Sequence, residues 1–139
     1  MREEFVEAVL AVVELVPPGS VLAYGDVAEL LGAGGPRQVG SVMARYSGDV
    51  GWWRVLKASG AAPEAHEERA LRHYLEEGTP LRGEPHRGPW RVDIARARWV
   101  PTDDELDAVE AIAEALERSL HRSRGGAPEL SDSDGGMEP

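Results

Sequence analysis

A mostly helical α+β domain built around a helix-turn-helix is what this sequence predicts, on three observations. Apolar residues recur at helical spacing in five segments. Two of those segments flank the turn Ala33-Gly34-Gly35, where glycine tolerates the left-handed conformation that a tight interhelical turn needs. Only short runs near Trp53 and Trp90 alternate in the manner of strands. With 139 residues, one domain with a modest core is expected.

Phe5, Val6, Val9, Leu10, Val13 and Val16 mark a first helix over roughly residues 2–15, which Pro17-Pro18-Gly19 stops. Ser20 to Ala23 allows a short extended link. Asp26 precedes Val27, Leu30 and Leu31, the apolar face of a two-turn helix ended by Gly32. Pro36 opens a third helix, Arg37 to about Tyr46, with Val39, Val42, Met43 and Tyr46 facing inward. Trp53, Val55 and Lys57 alternate with Arg54 and Leu56 as a short strand that Ser59-Gly60 ends. Ala65 to Glu77 reads as a helix with Ala70, Leu71, Tyr74 and Leu75 apolar and Gly78 as its cap, and Gly83 to Pro89 as a loop. Trp90, Val92 and Ile94 form another strand, whose far end, up to Trp99, is left open by Arg96 and Arg98 on one face. Thr102 to Glu105 is a capping box for a helix reaching residue 121, with Leu106, Val109, Ile112, Leu116 and Leu120 as its stripe. From residue 122 to 139 the Gly, Ser, Asp, Glu and Pro content predicts a disordered acidic tail.

The absence of cysteine excludes disulfides, thiolate metal sites and thiol nucleophiles, and four scattered histidines make no zinc spacing, so no metal and no cofactor is expected. No membrane span and no signal-peptide pattern occurs, which predicts a cytoplasmic protein, nucleoid-associated if prokaryotic. The net charge of -10 opposes nucleic-acid binding, but it is unevenly spread. Residues 33–100 carry eleven basic and eight acidic side chains, whereas 1–32 and 101–139 are strongly acidic. Ten of those eleven are arginine, suited to phosphate contacts and to stacking on bases.

Four motifs in order are specific: Val16-Pro17-Pro18-Gly19-Ser20-Val21, Ala23-Tyr24-Gly25-Asp26-Val27-Ala28, Pro36-Arg37-Gln38-Val39-Gly40 and Trp52-Trp53-Arg54-Val55. Together they resemble the DNA-binding domain of the O6-alkylguanine-DNA alkyltransferases (methylated-DNA–protein-cysteine methyltransferases) over roughly residues 3–82, and more weakly to about 101. The resemblance implies a winged-helix-like DNA-binding domain over 1–101, with 102–121 an added C-terminal helix and 122–139 the tail. The family's acceptor cysteine lies in a Pro-Cys-His-Arg-Val motif, and Gly51-Trp52-Trp53-Arg54-Val55 stands there. Trp52 takes the place of the nucleophile and Trp53 that of the activating histidine, and an indole serves as neither. The chain is thus similar to the alkyltransferase-like branch, which is not enzymatic. The implied partners are double-stranded DNA carrying O6-alkylguanine and nucleotide excision repair proteins, with the protein a monomer away from any membrane.

The same resemblance assigns DNA contacts to Tyr24, Arg37, Gln38, Gly40, Ser41 and Arg45, with the recognition helix in the minor groove, whose degenerate code suits a sensor that ignores sequence. Tyr24 crowds the phosphate beside the target and promotes its rotation, and Arg37 fills the gap the extruded base leaves. Gly40 and Ser41 let the helix backbone approach the sugar-phosphate chain. Tyr24, Met43, Trp52, Trp53, Arg54 and Val55 are assigned to the flipped-base pocket, and the carbonyls of Trp52 and Val55 would accept from the guanine 2-amino group. Strand alternation buries one tryptophan of the pair; either suits the pocket, and the alignment favours Trp52. Tyr46-Ser47-Gly48-Asp49 departs from the family's Asn hinge, and Glu64-Ala65-His66-Glu67 from its pocket-closing Tyr-Ser-Gly-Gly. Two other classes remain: a helix-turn-helix transcriptional regulator, which prefers one undamaged sequence, and a protein-interaction module, which shows no salt-dependent DNA affinity. The added helix packs on the domain or docks a partner or a second copy, and the tail competes with DNA for the basic middle.

Overall fold

The computed structural model describes residues 2–46, 48, 50–63 and 65–125, with side chains to 122. Ser47, Asp49 and Glu64, and the expected tail from residue 126 onward, lie outside the described residues. Helix α1 (Glu3–Leu15) buries Phe5, Val6, Val9, Val12 and Val13. Strand β1 (Leu22–Ala23) leads without a break into α2 (Tyr24–Leu31), so Tyr24 is the first helical residue. The Asp26 carboxylate accepts the Ala23 N–H at 2.8 Å, satisfying one of the free donors of that helix start. Gly32, at φ 67°, closes α2 in the left-handed conformation, donating its N–H to Ala28 and Glu29. Helix α3 (Pro36–Tyr46) buries Val39, Val42 and Met43 and completes the helix-turn-helix. Tyr46, expected inside, is 44% exposed at its end.

The strand expected from Trp53 to Lys57 is shorter and begins later. Trp52–Arg54 form a turn of 3-10 helix, and only Val55–Leu56 (β2) are extended. β2 pairs in parallel with β1, Leu22 opposite Val55 and Ala23 opposite Leu56. Val21 bridges to Arg98, exchanging backbone hydrogen bonds of 2.9 Å with Ala97 and Trp99. Helix α4 (Glu67–Glu77) starts two residues later than expected and ends at Gly78, at φ 71°. Leu81–Gly83 (β3), within and before the expected loop, pairs antiparallel with β4 (Trp90–Val92). The strand expected to continue past Val92 stops there: Asp93 accepts the Arg96 N–H and caps the short helix α5 (Ile94–Ala97), which keeps Arg96 and Arg98 out of a shared strand face.

Helix α6 (Asp103–Gly125) runs four residues beyond the expected end at 121. Thr102 and Glu105 form the expected reciprocal cap, at 2.9 and 3.2 Å. It packs on α1 and α2, burying Val109 and Leu116 in their core, while Leu106 stays 38% exposed. Two apolar clusters result. One joins α1, α2, α3 and α6; the other joins β1, β2, α4, β4 and α5. Trp52 packs against both. Among the described residues no helix is long and apolar enough to cross a membrane, and no acidic or histidine cluster suits a metal ion.

Candidate functional site

Parallel pairing of β1 with β2 puts the start of α2 beside the Trp52–Val55 stretch, and an open cavity of about 450 Å³ lies there. Tyr24 from α2, Met43 and Ala44 from α3, and Trp52 and Val55 line one part of it; Lys57, Pro63, His66 and Arg69 line the rest. Its volume falls within the range of about 300–1,000 Å³ usual for small-molecule sites. Tyr24 is half-buried, and burial raises its hydroxyl above the ordinary value, so it stays a neutral donor. Its ring lies over Gly40, where a Cβ would come within 3.2 Å of Tyr24 Cε2. The missing side chain at Gly40 therefore makes room for Tyr24 inside the protein, a role different from the expected approach of the helix backbone to a sugar-phosphate chain.

The two tryptophans have separate surroundings. Trp52 lines the cavity and meets Trp53 edge to face, with centroids 5.6 Å apart. His66 is tilted against Trp52 at 5.7 Å, and the Arg69 guanidinium sits 5.4 Å from its ring centroid, a cation–π distance. Trp53 is turned away. Its ring stacks on His73, 3.5 Å between centroids and 5° from parallel, and its Nε1 donates to Glu77 Oε2 at 2.9 Å. Its carbonyl accepts the Tyr74 hydroxyl at 2.7 Å. Arg54 is also behind the cavity: Nε and Nη2 donate to the two Glu77 oxygens at 3.1 and 2.6 Å, and Nη1 to the Val16 carbonyl at 3.3 Å. Trp53 and Arg54, expected in the pocket wall, thus form its support. The Trp52 carbonyl, expected to bind a guanine amino group, already accepts the Val55 N–H that closes the 3-10 turn.

Glu77 is the centre of that support; the sequence marks it only as part of a helix ending, Glu76-Glu77-Gly78, similar to the family's, and gives it no role in the site. It also accepts the Gly19 N–H at 3.0 Å, tying the Pro17-Pro18-Gly19 turn to the end of α4. Burial alone would raise its pKa, but the hydrogen bonds from Arg54, Gly19 and Trp53 and the Arg54 charge hold it below the ordinary carboxylate value. The available signal was a carboxylate directly before the helix-ending Gly78; its partners, 23 to 58 residues distant, carry no local mark.

On α3, the four-residue spacing of Arg37, Ser41 and Arg45 puts them on one side, opposite buried Val39, Val42 and Met43. Arg37 and Arg45 are exposed and make no ion pair among the described residues. Gln38 caps this helix, its Oε1 accepting the Gly35 N–H at 3.0 Å. His66, from the stretch that stands for the family's pocket-closing segment, lines the cavity, and Lys57 and Arg69 join it though sequence reasoning did not select them, because Arg69 arrives only through the docking of α4.

The family described as 6-O-methylguanine DNA methyltransferase, DNA binding domain, matches residues 4–78. A DNA base-flipping protein of Escherichia coli is 33% identical over 107 residues, covering 70% of this chain and 76% of the relative, and one from Shigella flexneri matches to the same extent. Among solved structures, S. pombe Atl1 in complex with damaged DNA containing O6-carboxymethylguanine aligns with a TM-score of 0.62 at 28% identity, over 73% of this chain and 99% of that one. S. pombe ATL in complex with DNA aligns at 0.59 and 30% identity, over 73% and 100%.

Proposed function

The chain belongs to the family of 6-O-methylguanine DNA methyltransferase DNA-binding domains, and we propose that within it this protein is a non-enzymatic damage sensor. It docks α3 on duplex DNA, turns an O6-alkylguanine out of the stack into the cavity beside Trp52, and holds it unreacted for nucleotide excision repair proteins. The single observation that carries this reading is the cavity itself. The Trp52 indole stands on its wall, in a chain with no cysteine at all. An aromatic ring beside apolar Met43 and Val55 gives an extruded purine a surface to pack on.

Tyr24 and Arg37 divide the work of extrusion. Tyr24 enters the cavity from the first turn of α2, close to where a nucleotide must pass. Arg37, exposed in the first turn of α3, has the planar guanidinium that can replace a missing base in the stack. Arg45 and Ser41 follow on the same side toward the phosphates. The protein acts as a cytoplasmic monomer, and residues 1–101 carry the DNA-binding function.

The test is a titration of matched duplexes with and without O6-methylguanine. Wild type binds the lesion duplex at least about tenfold more tightly, a difference of ~1.4 kcal/mol. Arg37→Ala and Tyr24→Ala lose that gain to similar extents, because both serve one extrusion step. Equal wild-type affinity for the two duplexes removes the proposal.

A further inference from the structure

We propose that the cavity ranks O6 adducts by charge, holding a guanine whose substituent ends in a carboxylate more tightly than one with a neutral substituent of equal size. This rests on the base-pocket reading above and adds a specificity that the reading does not contain.

Two cations, Lys57 and Arg69, line the cavity together with Tyr24 and Met43. His66 lines it too, and among the described residues no carboxylate does. In a chain of net charge -10 this local reversal has structural causes. Val55 begins β2, and the two-residue period of an extended chain brings Lys57 to the same side, while Leu56 between them is buried in the other cluster. His66 and Arg69 are one helical turn apart at the start of α4, and both approach Trp52. The acidic neighbours Glu67 and Glu68 turn away and line a separate groove with Leu71 and Leu75. The N-terminal end of α4 adds its own positive partial charge on this side.

Arg69 fixes the geometry most closely. Its guanidinium sits over the Trp52 ring, 5.4 Å from the centroid, so it borders the space a purine against Trp52 would enter, and Lys57 lines the same cavity. A purine seated on Trp52 brings its O6 substituent into this cationic surrounding. A carboxylate there gains charge-assisted hydrogen bonds that an alkyl chain cannot make.

The test uses duplexes carrying O6-carboxymethylguanine, O6-propylguanine as the neutral counterpart of similar size, or guanine, titrated with the full-length protein at fixed salt. Wild type should prefer the carboxymethyl over the propyl duplex by roughly tenfold. Lys57→Met should bring that ratio close to one, its loss on the carboxymethyl duplex exceeding any loss on the propyl duplex by roughly tenfold, and Lys57→Arg should retain the ratio. Arg69→Met should do the same, with some loss on every lesion duplex because Trp52 loses a neighbour. A wild-type ratio near one overturns the proposal. So does an equal loss on all three duplexes in Lys57→Met, which would make Lys57 a phosphate contact and lower the salt dependence of binding. Absence of any gain for either lesion over guanine overturns the base-pocket reading itself, whereas an equal gain for both overturns the charge ranking alone.

Discussion

The cavity wall and the support behind it use adjacent tryptophans in opposite ways. The Trp52 side chain makes no hydrogen bond among the described residues and is held by ring contacts: Trp53 and His73 edge-on, His66 tilted, Arg69 above. Trp53, one residue later, has its indole N–H bonded, its carbonyl bonded and its face covered by His73. In the proposed reading Trp52 is the ring a flat guest meets, and the rigidity it lacks is supplied by a neighbour whose hydrogen bonds are filled. The 3-10 turn at Trp52–Arg54 makes this division possible, since three consecutive side chains leave it in different directions.

The sharpest way to break the contrast is at Glu77, which receives four hydrogen bonds from Gly19, Trp53 and Arg54. Glu77→Ala leaves the Arg54 guanidinium, 18% exposed, without its counter-charge and the Trp53 N–H without an acceptor. A stability loss of about 2–4 kcal/mol in urea unfolding is expected. The pH dependence has a definite sign. Because the folded-state pKa of Glu77 is depressed, its contribution is complete above the unfolded carboxyl value of about 4.3 and is lost as pH falls through the folded value. Glu77→Gln should remove this acid-side component and flatten the stability profile below about pH 4.3. An unchanged profile would mean that the ion pair is not what supports the cavity.

Trp52→Ala tests the other half. Stacking of a base on an aromatic is worth ~1–3 kcal/mol, so lesion affinity should drop by about ten- to hundredfold while affinity for undamaged duplex stays within about twofold. Trp53→Phe is the informative partner: it keeps a ring against His73 and Trp52 but cannot donate to Glu77. Its cost should appear mainly in unfolding, and only secondarily in lesion binding.

These variants also mark where the sequence was readable. Helices α1, α2 and α3 were legible because apolar residues three and four apart, with Pro36 and Gly32 as boundaries, specify them locally. Tyr24, Arg37 and Trp52 were singled out because they sit in motifs of fixed order and spacing. The separation of Trp53 from the cavity was not legible: alternation at 53–57 is satisfied equally by a strand, and only Glu77, 24 residues on, decides against one. α5 was missed for a related reason, since Asp93 acts there as a helix cap and interrupts an apparently alternating run. The β3–β4 pairing had no signal in Leu81-Arg82-Gly83, three residues that are extended because of what lies opposite them.

The smallest effect sharpens the comparison most narrowly, at the contact between α2 and α3. Gly40→Ala adds one methyl, which would lie 3.2 Å from Tyr24 Cε2 and 3.3 Å from Cδ2. The ring must yield by a few tenths of an ångström, and it has freedom to do so because it faces the cavity on its other side. Two opposing terms set the size of the change. Alanine favours the helix by up to about 1 kcal/mol over glycine, and displacing the ring costs a similar amount, so stability should shift by no more than about 1 kcal/mol either way. Lesion binding has no such compensation, because a displaced Tyr24 intrudes on the space a base would enter. A loss of about three- to tenfold on the lesion duplex, with undamaged binding unchanged, is expected if Gly40 serves Tyr24. An equal loss on both duplexes would instead restore Gly40 to the role of letting the helix backbone approach the DNA strand.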